Sequence, residues 1–241
     1  MKTIIVVPDT HVPAHDKKAL TLLNKVASAL NPWGLVIMGD WVDMSGCSRH
    51  PKTGHEKAII DETRPARLEL ARLVKSARPS KKWFLIGNHE KRIFDYTENV
   101  APAFRGAVTL ESLLGLEGWG VVPYQEILYL GKLGLTHDQS YSGANAHIQT
   151  QALVGGNVLH GHNHRLAISY RGNPLGERWV GGACGFLGDS TNPAFSYANP
   201  GQRASWQLGF VIVREHNGIS HVQPVPIVNY TCVVDGVQYR A

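Results

Sequence analysis

The chain has 241 residues, enough for one large domain with a buried core, and its 43% hydrophobic and 18% charged residues are typical of a folded soluble protein. Its apolar runs are strand-sized, which excludes a membrane-spanning helix, and its first residues lack the long apolar core of a signal peptide. The net charge of +5 comes from dispersed basic residues, so charge alone does not indicate a nucleic-acid-binding protein. Three scattered cysteines favour a reducing compartment and argue against a thiolate zinc site. We expect a single domain over residues 1–241.

Five short apolar segments are predicted to be β-strands, and each is followed closely by Asp, Asn or His. In chain order, the strands and the polar residues after them are Thr3–Val7 with Asp9 and His11, Leu35–Met38 with Asp40 and Asp43, Trp83–Ile86 with Asn88 and His89, Leu133–Leu135 with His137, and Asn157–His160 with His162 and His164.

Helical patterns separate the first three strands. Asp16 is expected to cap a helix with apolar residues on one face, and Asn31-Pro32 would end it. A second helix is predicted from about residue 56 to 77, and Pro65 would kink it or start its second part. Alternating strands and helices indicate a layered α/β fold, in which ligands gather beyond the carboxyl ends of the strands. The five polar motifs are therefore predicted to form one site.

Each motif alone has an ordinary structural explanation. A Gly-Asp pair such as Gly39-Asp40 is usually a turn, Asp9-x-His11 is usually a cap, and a lone His137 is usually a core or surface residue. His162-x-His164 is a stronger signal because alternate positions of an extended chain face the same way. Five such motifs at five strand ends, in this order, favour a site over coincidence.

The motif set resembles that of the calcineurin-like metallophosphoesterases, whose ordered pattern is Asp-x-His, Gly-Asp-x-x-Asp, Gly-Asn-His-(Asp/Glu), a later His, and Gly-His-x-His. Here the pattern reads Asp9-Thr10-His11, Gly39-Asp40-Trp41-Val42-Asp43, Gly87-Asn88-His89-Glu90, His137 and Gly161-His162-Asn163-His164. The resemblance implies a two-sheet β-sandwich flanked by helices, completed by strands within residues 206–213 and 222–228. It is closest to small phage and bacterial members, which implies the cytoplasm of a bacterium or of a phage-infected host.

The resemblance also implies a role for each motif residue. Asp9, His11 and His164 would bind one metal ion, and Asn88, His137 and His162 would bind a second. Asp40 would bridge the two ions, and Asp43 would lie in an outer shell where it orients ligands or water. His89 would contact the phosphate and protonate the leaving oxygen, which is typically worth about 10²–10⁴-fold in rate.

These residue types suit a two-metal hydrolase. Two divalent cations roughly 3.5–4 Å apart can clamp the attacking and leaving oxygens of phosphoryl transfer, and water activated between them is the nucleophile. Oxygen and nitrogen ligands without thiolate suit manganese above all, with iron, zinc, nickel or cobalt as alternatives.

Two departures from the family pattern bear on the substrate. Members with protein phosphatase activity usually continue the second motif as Asp-Arg-Gly, whereas Asp43 is followed by Met44. The fourth motif commonly contains glycine beside the histidine, whereas His137 is followed by Asp138. The missing arginine favours a phosphodiesterase acting on a nucleotide or nucleic acid. The alternatives are a phosphomonoesterase acting on a phosphoprotein or small phosphate ester and, less favoured, a non-catalytic binding scaffold.

Other residues are candidates for substrate contact. Arg49 and His50 lie in a Pro- and Gly-containing loop after the second motif, and Arg165 directly follows His164. Arg92 is predicted equally well to contact substrate or to lie on a helix surface. Residues 188–206 form a long loop with three aromatic residues, for which packing is favoured over stacking on a base.

Overall fold

A computed structural model of the chain describes residues 1–49, 54 and 56–241, and its largest sheet has six strands in the order β11-β10-β1-β2-β3-β4. β1, β2, β3 and β4 are parallel, and β10 and β11 continue the sheet antiparallel at the other edge. These strands are β1 (Lys2–Val7), β2 (Gly34–Ile37), β3 (Lys81–Leu85), β4 (Gly120–Val122), β10 (Gly209–His216) and β11 (Ile219–Pro226).

A second sheet has five strands in the order β5-β6-β7-β9-β8, with β6, β7 and β9 parallel. Its strands are β5 (Leu128–Leu130), β6 (Leu133–Thr136), β7 (Asn157–His160), β8 (Leu166–Gly172) and β9 (Arg178–Cys184). A separate antiparallel hairpin follows at the end of the chain, formed by β12 (Thr231–Val234) and β13 (Val237–Arg240).

Six α-helices lie within the described residues: α1 (Lys17–Leu30), α2 (Ile59–Ala77), α3 (Asn88–Asn99), α4 (Leu110–Leu114), α5 (Ala146–Val154) and α6 (Pro200–Ala204). As expected, Asp16 caps α1, where its carboxylate accepts from the backbone N–H groups of Lys18 and Ala19. α2 runs continuously through Pro65, so Pro65 does not start a second helix. Within the part of the chain that the structure describes, none of the helices has the length and apolar character needed to cross a bilayer.

The core has two layers because strand β1 is buried on both faces. Ile4 and Val6 point into an apolar cluster between the two sheets, whereas Ile5 and Val7 point into a larger cluster under α1 and α2. This alternation follows from the two-residue period of a strand, and burial on both faces explains why the strand is a continuous apolar run. The predicted sandwich of two sheets flanked by helices is confirmed.

The topology brings the carboxyl ends of five strands to one edge of the sandwich. β1, β2 and β3 are adjacent and parallel in the first sheet, and β6 and β7 are adjacent and parallel in the second. The polar motifs predicted to follow these strands therefore meet between the two sheets, in agreement with the general position of ligands in α/β folds.

Candidate metal centre and active site

The first group of side chains at this edge is formed by Asp9, His11 and His164. All three are buried, and their potential ligand atoms lie within 4.8 Å of one another. Nε2 of His11 is 3.2 Å from Nε2 of His164, and Nε2 of His164 is 3.3 Å from Oδ2 of Asp9. The Asp9 carboxylate also accepts the backbone N–H of His162 at 2.9–3.0 Å, which ties the end of β1 to the end of β7.

A second group is formed by Asn88, His137 and His162. Oδ1 of Asn88 lies 3.0 Å from Nε2 of His137 and 2.8 Å from Nδ1 of His162. The other ring nitrogen of His137, Nδ1, is 2.7 Å from the carbonyl oxygen of Met38. Asn88 comes from the first sheet and the two histidines from the second, so the group joins the two sheets.

Asp40 lies between the two groups. Its Oδ2 atom is 3.4 Å from Nε2 of His137 on one side and 3.8 Å from Nε2 of His11 on the other. Its Oδ1 atom accepts the backbone N–H of His89 at 2.9 Å. Burial alone would raise the pKa of Asp40, but His137 and then His89 outweigh burial and lower that pKa well below its usual value.

The tautomers of two histidines show that the site fits cations. His137 must donate its Nδ1 proton to the Met38 carbonyl, so a neutral ring turns the Nε2 lone pair toward two oxygens, those of Asn88 and Asp40. Burial alone would lower the pKa of His137, but the negative charge of Asp40 raises it to about 10. The surroundings of this ring therefore stabilise positive charge. A divalent cation bound between these atoms would supply that positive charge.

The same reasoning applies to His11. Its Nδ1 atom is 3.3 Å from Oδ1 of Asp43, a carboxylate that can only accept, so the proton belongs on Nδ1. The Nε2 lone pair of His11 then faces Nε2 of His164 and the carboxylates of Asp9 and Asp40. Neutral imidazoles held in one tautomer by an outer carboxylate are the usual form of histidine in metal sites.

Asp43 and His89 form a pair beside these groups. Oδ1 of Asp43 is 2.9 Å from Nδ1 of His89, and the backbone carbonyl of Asp43 is 2.8 Å from the same nitrogen. Nε2 of His89 is 3.8 Å from Oδ2 of Asp40. Burial would raise the pKa of Asp43, but hydrogen bonds from His11 and His89 lower it far below the usual range. Asp43 thus contacts one residue of the first group and His89 at the same time.

Glu90 connects the loops that carry Asp40 and Asn88, a function that the sequence did not reveal. Its Oε2 atom accepts from the backbone N–H groups of Asp40 at 2.8 Å and Gly87 at 2.9 Å, and Oε1 accepts from Val42 at 3.1 Å. Glu90 is fully buried, and burial followed by the charge of Asp40 raises its pKa to about 7. Three buried N–H groups are satisfied by one side chain.

The backbone is strained where it carries the site. His11, Asp40, His162 and His164 have left-handed φ values of 53°, 48°, 68° and 57°. Such a conformation is uncommon for residues other than glycine, costs on the order of 1–3 kcal/mol each, and clusters at functional sites. Gly87 is needed for a different reason, since a Cβ atom there would lie 2.2 Å from Oδ1 of Asp40.

Aromatic residues of the segment after β9 pack against the rings of His11 and His164. Phe186 stacks on His164 with ring centroids 4.3 Å apart, and Trp206 meets the same ring edge-on at 4.4 Å. Phe195 is fully buried and packs edge-on against His11 at 5.2 Å. Two of the three aromatic residues in the 188–206 loop therefore pack, as the sequence favoured, while the third, Tyr197, is 64% exposed.

The site opens into a cavity of about 490 Å³. Four predicted metal ligands line its wall, namely Asp40, Asn88, His162 and His164, and so do Asp43 and His89. The other lining residues are Ser45, Ser48, Glu56, Arg92, Ala194, Ser196 and Tyr197. Of the remaining substrate-contact candidates, Arg49 is exposed beside Ser48, and His50 lies outside the described residues. The guanidinium of Arg165 bonds to the hydroxyl of Ser205 at 2.8 Å and is not part of this wall.

Sequence and structure comparisons agree with this description. Residues 2–182 match the family model described as calcineurin-like phosphoesterase. The "Gene 54 protein" of Mycobacterium phage D29 is 26% identical over 254 residues, covering 98% of this chain and 97% of that protein. The protein of the same name from Mycobacterium phage L5 is also 26% identical, over 259 residues, with the same coverage.

Among solved structures, the fold is similar to Vps29 of Chaetomium thermophilum, with a TM-score of 0.52, 11% identity and coverage of 100% of this chain and 99% of that one. Wild-type Vps29 of Entamoeba histolytica, solved in complex with Zn²⁺, gives a TM-score of 0.50 at 14% identity, with 96% of each chain covered. Identities this low show a shared fold only. On the evidence of the family match over three quarters of its length, the chain belongs to the calcineurin-like phosphoesterases, metal-dependent hydrolases that act on phosphate esters.

Proposed function

We propose that this protein hydrolyses phosphodiester bonds in a nucleotide or nucleic acid, using two divalent cations, preferably manganese. Asp9, His11 and His164 would hold one cation, and Asn88, His137 and His162 the other. Asp40 would contact both, and His89 would serve the leaving group.

The observation that carries the two-cation proposal is the position of Asp40. One oxygen of its carboxylate lies 3.4 Å from His137 and 3.8 Å from His11, and these histidines belong to different groups. A carboxylate oxygen between two sets of ligands is an arrangement that suits two neighbouring cations. The oxygen and nitrogen donors, with no thiolate among them, support manganese, iron or another divalent metal rather than a sulfur-bound zinc.

Two bound divalent cations would supply Lewis-acid charge on the phosphate and lower the pKa of water. The protein's own residues have the remaining tasks. Asp43 holds the ring of His89 through Nδ1, so that Nε2 faces the cavity side where Asp40 lies. The first turn of α3 begins at Asn88, and the His89 N–H group in this turn donates to the Asp40 carboxylate, which fixes Asn88 and His89 beside Asp40. His89 would move a proton at Nε2 to the leaving oxygen.

Three observations support a diester substrate and a nucleotide-sized one. The position after Asp43 is held by Met44, which is fully buried and offers the substrate no charge. Among the described residues of the cavity wall, Arg92 alone carries a permanent positive charge, which suits the single negative charge of a diester. The cavity of about 490 Å³ falls within the usual range for small-molecule sites, and exposed Tyr197 at its wall offers a stacking surface.

The test compares two substrates with the same leaving group. With manganese-loaded protein, we expect a higher kcat/KM on bis-p-nitrophenyl phosphate than on p-nitrophenyl phosphate. Higher efficiency on the monoester would reject the diesterase assignment and make the protein a phosphomonoesterase. A panel of cyclic nucleotides, DNA, RNA and phosphopeptides would then identify the natural substrate class, and turnover confined to phosphopeptides would reject the nucleotide proposal.

A further inference from the structure

We propose that Arg92 is a substrate-binding residue, whose guanidinium holds a non-bridging phosphate oxygen and thereby places the leaving oxygen at His89. This inference rests on the proposed function. Arg92 follows His89 by three positions in α3, so both side chains lie on one face of the helix. Both also line the cavity.

The guanidinium is already fixed on the cavity wall. Nη1 of Arg92 donates to the backbone carbonyl of Asp43 at 2.8 Å, and Nη2 is 3.1 Å from Nε2 of His89. The same Asp43 carbonyl lies 2.8 Å from Nδ1 of His89, so the arginine and the histidine share one anchor. A planar guanidinium held in place loses little further entropy when it binds a phosphate, which is why such a group gives geometric specificity.

The contact between Arg92 and His89 is one that a phosphate would replace. Nη2 can only donate, so in this arrangement the nitrogen of His89 accepts from it. A charge-assisted bond from guanidinium to a phosphate oxygen is roughly twice as strong as a bond to a neutral acceptor. An incoming phosphate oxygen should therefore take Nη2, which frees Nε2 of His89 to take up a proton from solvent and pass it to the leaving oxygen.

The charges around the cavity give Arg92 a specific importance. Its wall contains the carboxylates of Asp40 and Asp43, which repel a phosphate anion. Cations bound by the metal-binding residues would offset the charge of Asp40, but Asp43 lies outside those ligand groups. Arg92 is the only arginine or lysine among the described residues of this wall.

Arg92 also differs from its basic neighbours on the surface. Lys91 forms an ion pair with Asp95 one helical turn away, and Arg105 pairs with Glu98. Among the described residues, no carboxylate oxygen lies within 4 Å of the Arg92 guanidinium, the distance at which an ion pair forms. A half-buried arginine that is held by a carbonyl beside a phosphate site is arranged to bind an anion rather than to pair on the surface.

The first experiment measures inorganic phosphate binding to metal-loaded protein by calorimetry, alongside kcat and KM on bis-p-nitrophenyl phosphate. For Arg92→Gln we expect the Kd of phosphate and the KM to rise by about 10- to 100-fold, as for loss of a charged hydrogen bond. Arg92→Lys should recover part of the loss, because it keeps the charge without the fork of donors. Lys91→Gln, the matched control on the same helix, should stay within about twofold, and metal content should be equal in all variants.

A second experiment separates phosphate binding from an effect through His89. If Arg92 binds phosphate itself, Arg92→Gln should still weaken phosphate binding several-fold in a His89→Asn background, although the two changes need not be additive because the residues are in contact. If the effect vanishes there, Arg92 acts only on His89 and the inference is wrong. Unchanged phosphate affinity in Arg92→Gln, with an active wild type, also rejects it and leaves the proposed function intact. Wild-type protein that binds phosphate through Arg92 but hydrolyses no ester would instead reject the proposed function alone.

Discussion

Oδ1 of Asp40 accepts the backbone N–H of His89 at 2.9 Å, and this bond divides the work of the Asp40 carboxylate between its two oxygens. One oxygen fixes the start of α3, which carries Asn88 and His89. The other, Oδ2, is left to face His11 and His137. The residue that joins the two predicted ligand groups is therefore also the one that positions the neighbouring helix.

Asp40→Asn should reduce both metal content and activity more than any other single change of a predicted ligand. Asparagine keeps an oxygen for the His89 N–H group and tolerates the left-handed backbone, so the fold should persist. Only the charged oxygen between the two groups is lost. Because outer-shell changes at metal sites already cost about 10–100-fold, we expect a larger loss here. Elemental analysis and turnover of bis-p-nitrophenyl phosphate measure it. The control is Asp95→Asn, at a half-exposed residue outside the site. Two retained metals with near-normal turnover would contradict the bridging role.

His89→Asn should leave both metals in place and slow substrates with poor leaving groups. His89 contacts Asp43 through Nδ1 and lies 3.8 Å from Asp40, but it belongs to neither predicted ligand group. General-acid assistance is worth about 10²–10⁴-fold, so an alkyl phosphodiester should lose at least roughly 100-fold. A nitrophenyl diester, whose leaving group needs little protonation, should lose less. Equal losses on the two substrates would assign His89 to phosphate positioning, and a lost metal would make it a ligand.

Removal of metal should abolish activity and lower thermal stability. The buried site gathers two aspartates and histidines whose lone pairs face one another, which is unfavourable without positive charge. A cation at 100 times its Kd stabilises the folded state by about 2.7 kcal/mol. We expect exhaustive chelation to lower Tm and manganese to restore both Tm and turnover. The affinity of the protein for manganese should fall as pH falls, because protons compete for the histidine nitrogens. Full activity of protein shown by elemental analysis to be metal-free would contradict the proposed chemistry.

Gly87→Ala should disable the site although glycine 87 contributes no functional group. A Cβ atom there would lie 2.2 Å from Oδ1 of Asp40 and 2.4 Å from its backbone nitrogen, so the carboxylate must move. Overpacking of this kind typically costs about 1–3 kcal/mol of stability. Gly143→Ala is the matched control, since nothing lies within 4 Å of its added methyl group. We expect the first variant to lose metal and activity and the second to keep both. Normal activity in Gly87→Ala would mean that the Asp40 loop shifts freely.

The places where strands end could be predicted from the sequence because each strand is a local signal. The predicted segments at residues 3–7, 133–135 and 157–160 match β1, β6 and β7 to within about one residue at each end. The switch to Asp, Asn or His at each end also lies in the local sequence. Parallel pairing then places these ends together, whereas the role expected of each residue came from the family resemblance.

The supporting residues could not be predicted because their partners are distant in the chain. The bonds of Glu90 to Asp40 and Val42 span about 50 residues, and the stacking of Phe186 on His164 depends on a loop that follows the unpredicted β8–β9 hairpin. The start of α3 could not be predicted either, because the helix begins within the third motif itself. The sequence does not decide between the two roles of Arg92, because only the helix turn of α3 shows which way its side chain faces.

The left-handed backbone of His11, Asp40, His162 and His164 has a practical consequence for mutagenesis. Replacement by alanine at these positions would leave a Cβ atom in a disfavoured conformation and remove the contacts that hold it there, so the loop could relax to a different path. The measured defect would then mix lost chemistry with a changed loop. Asparagine, which enters this region several-fold more often than most residues, is the cleaner substitution. A β-branched replacement such as valine would be the least informative, because it would test the backbone rather than the side chain.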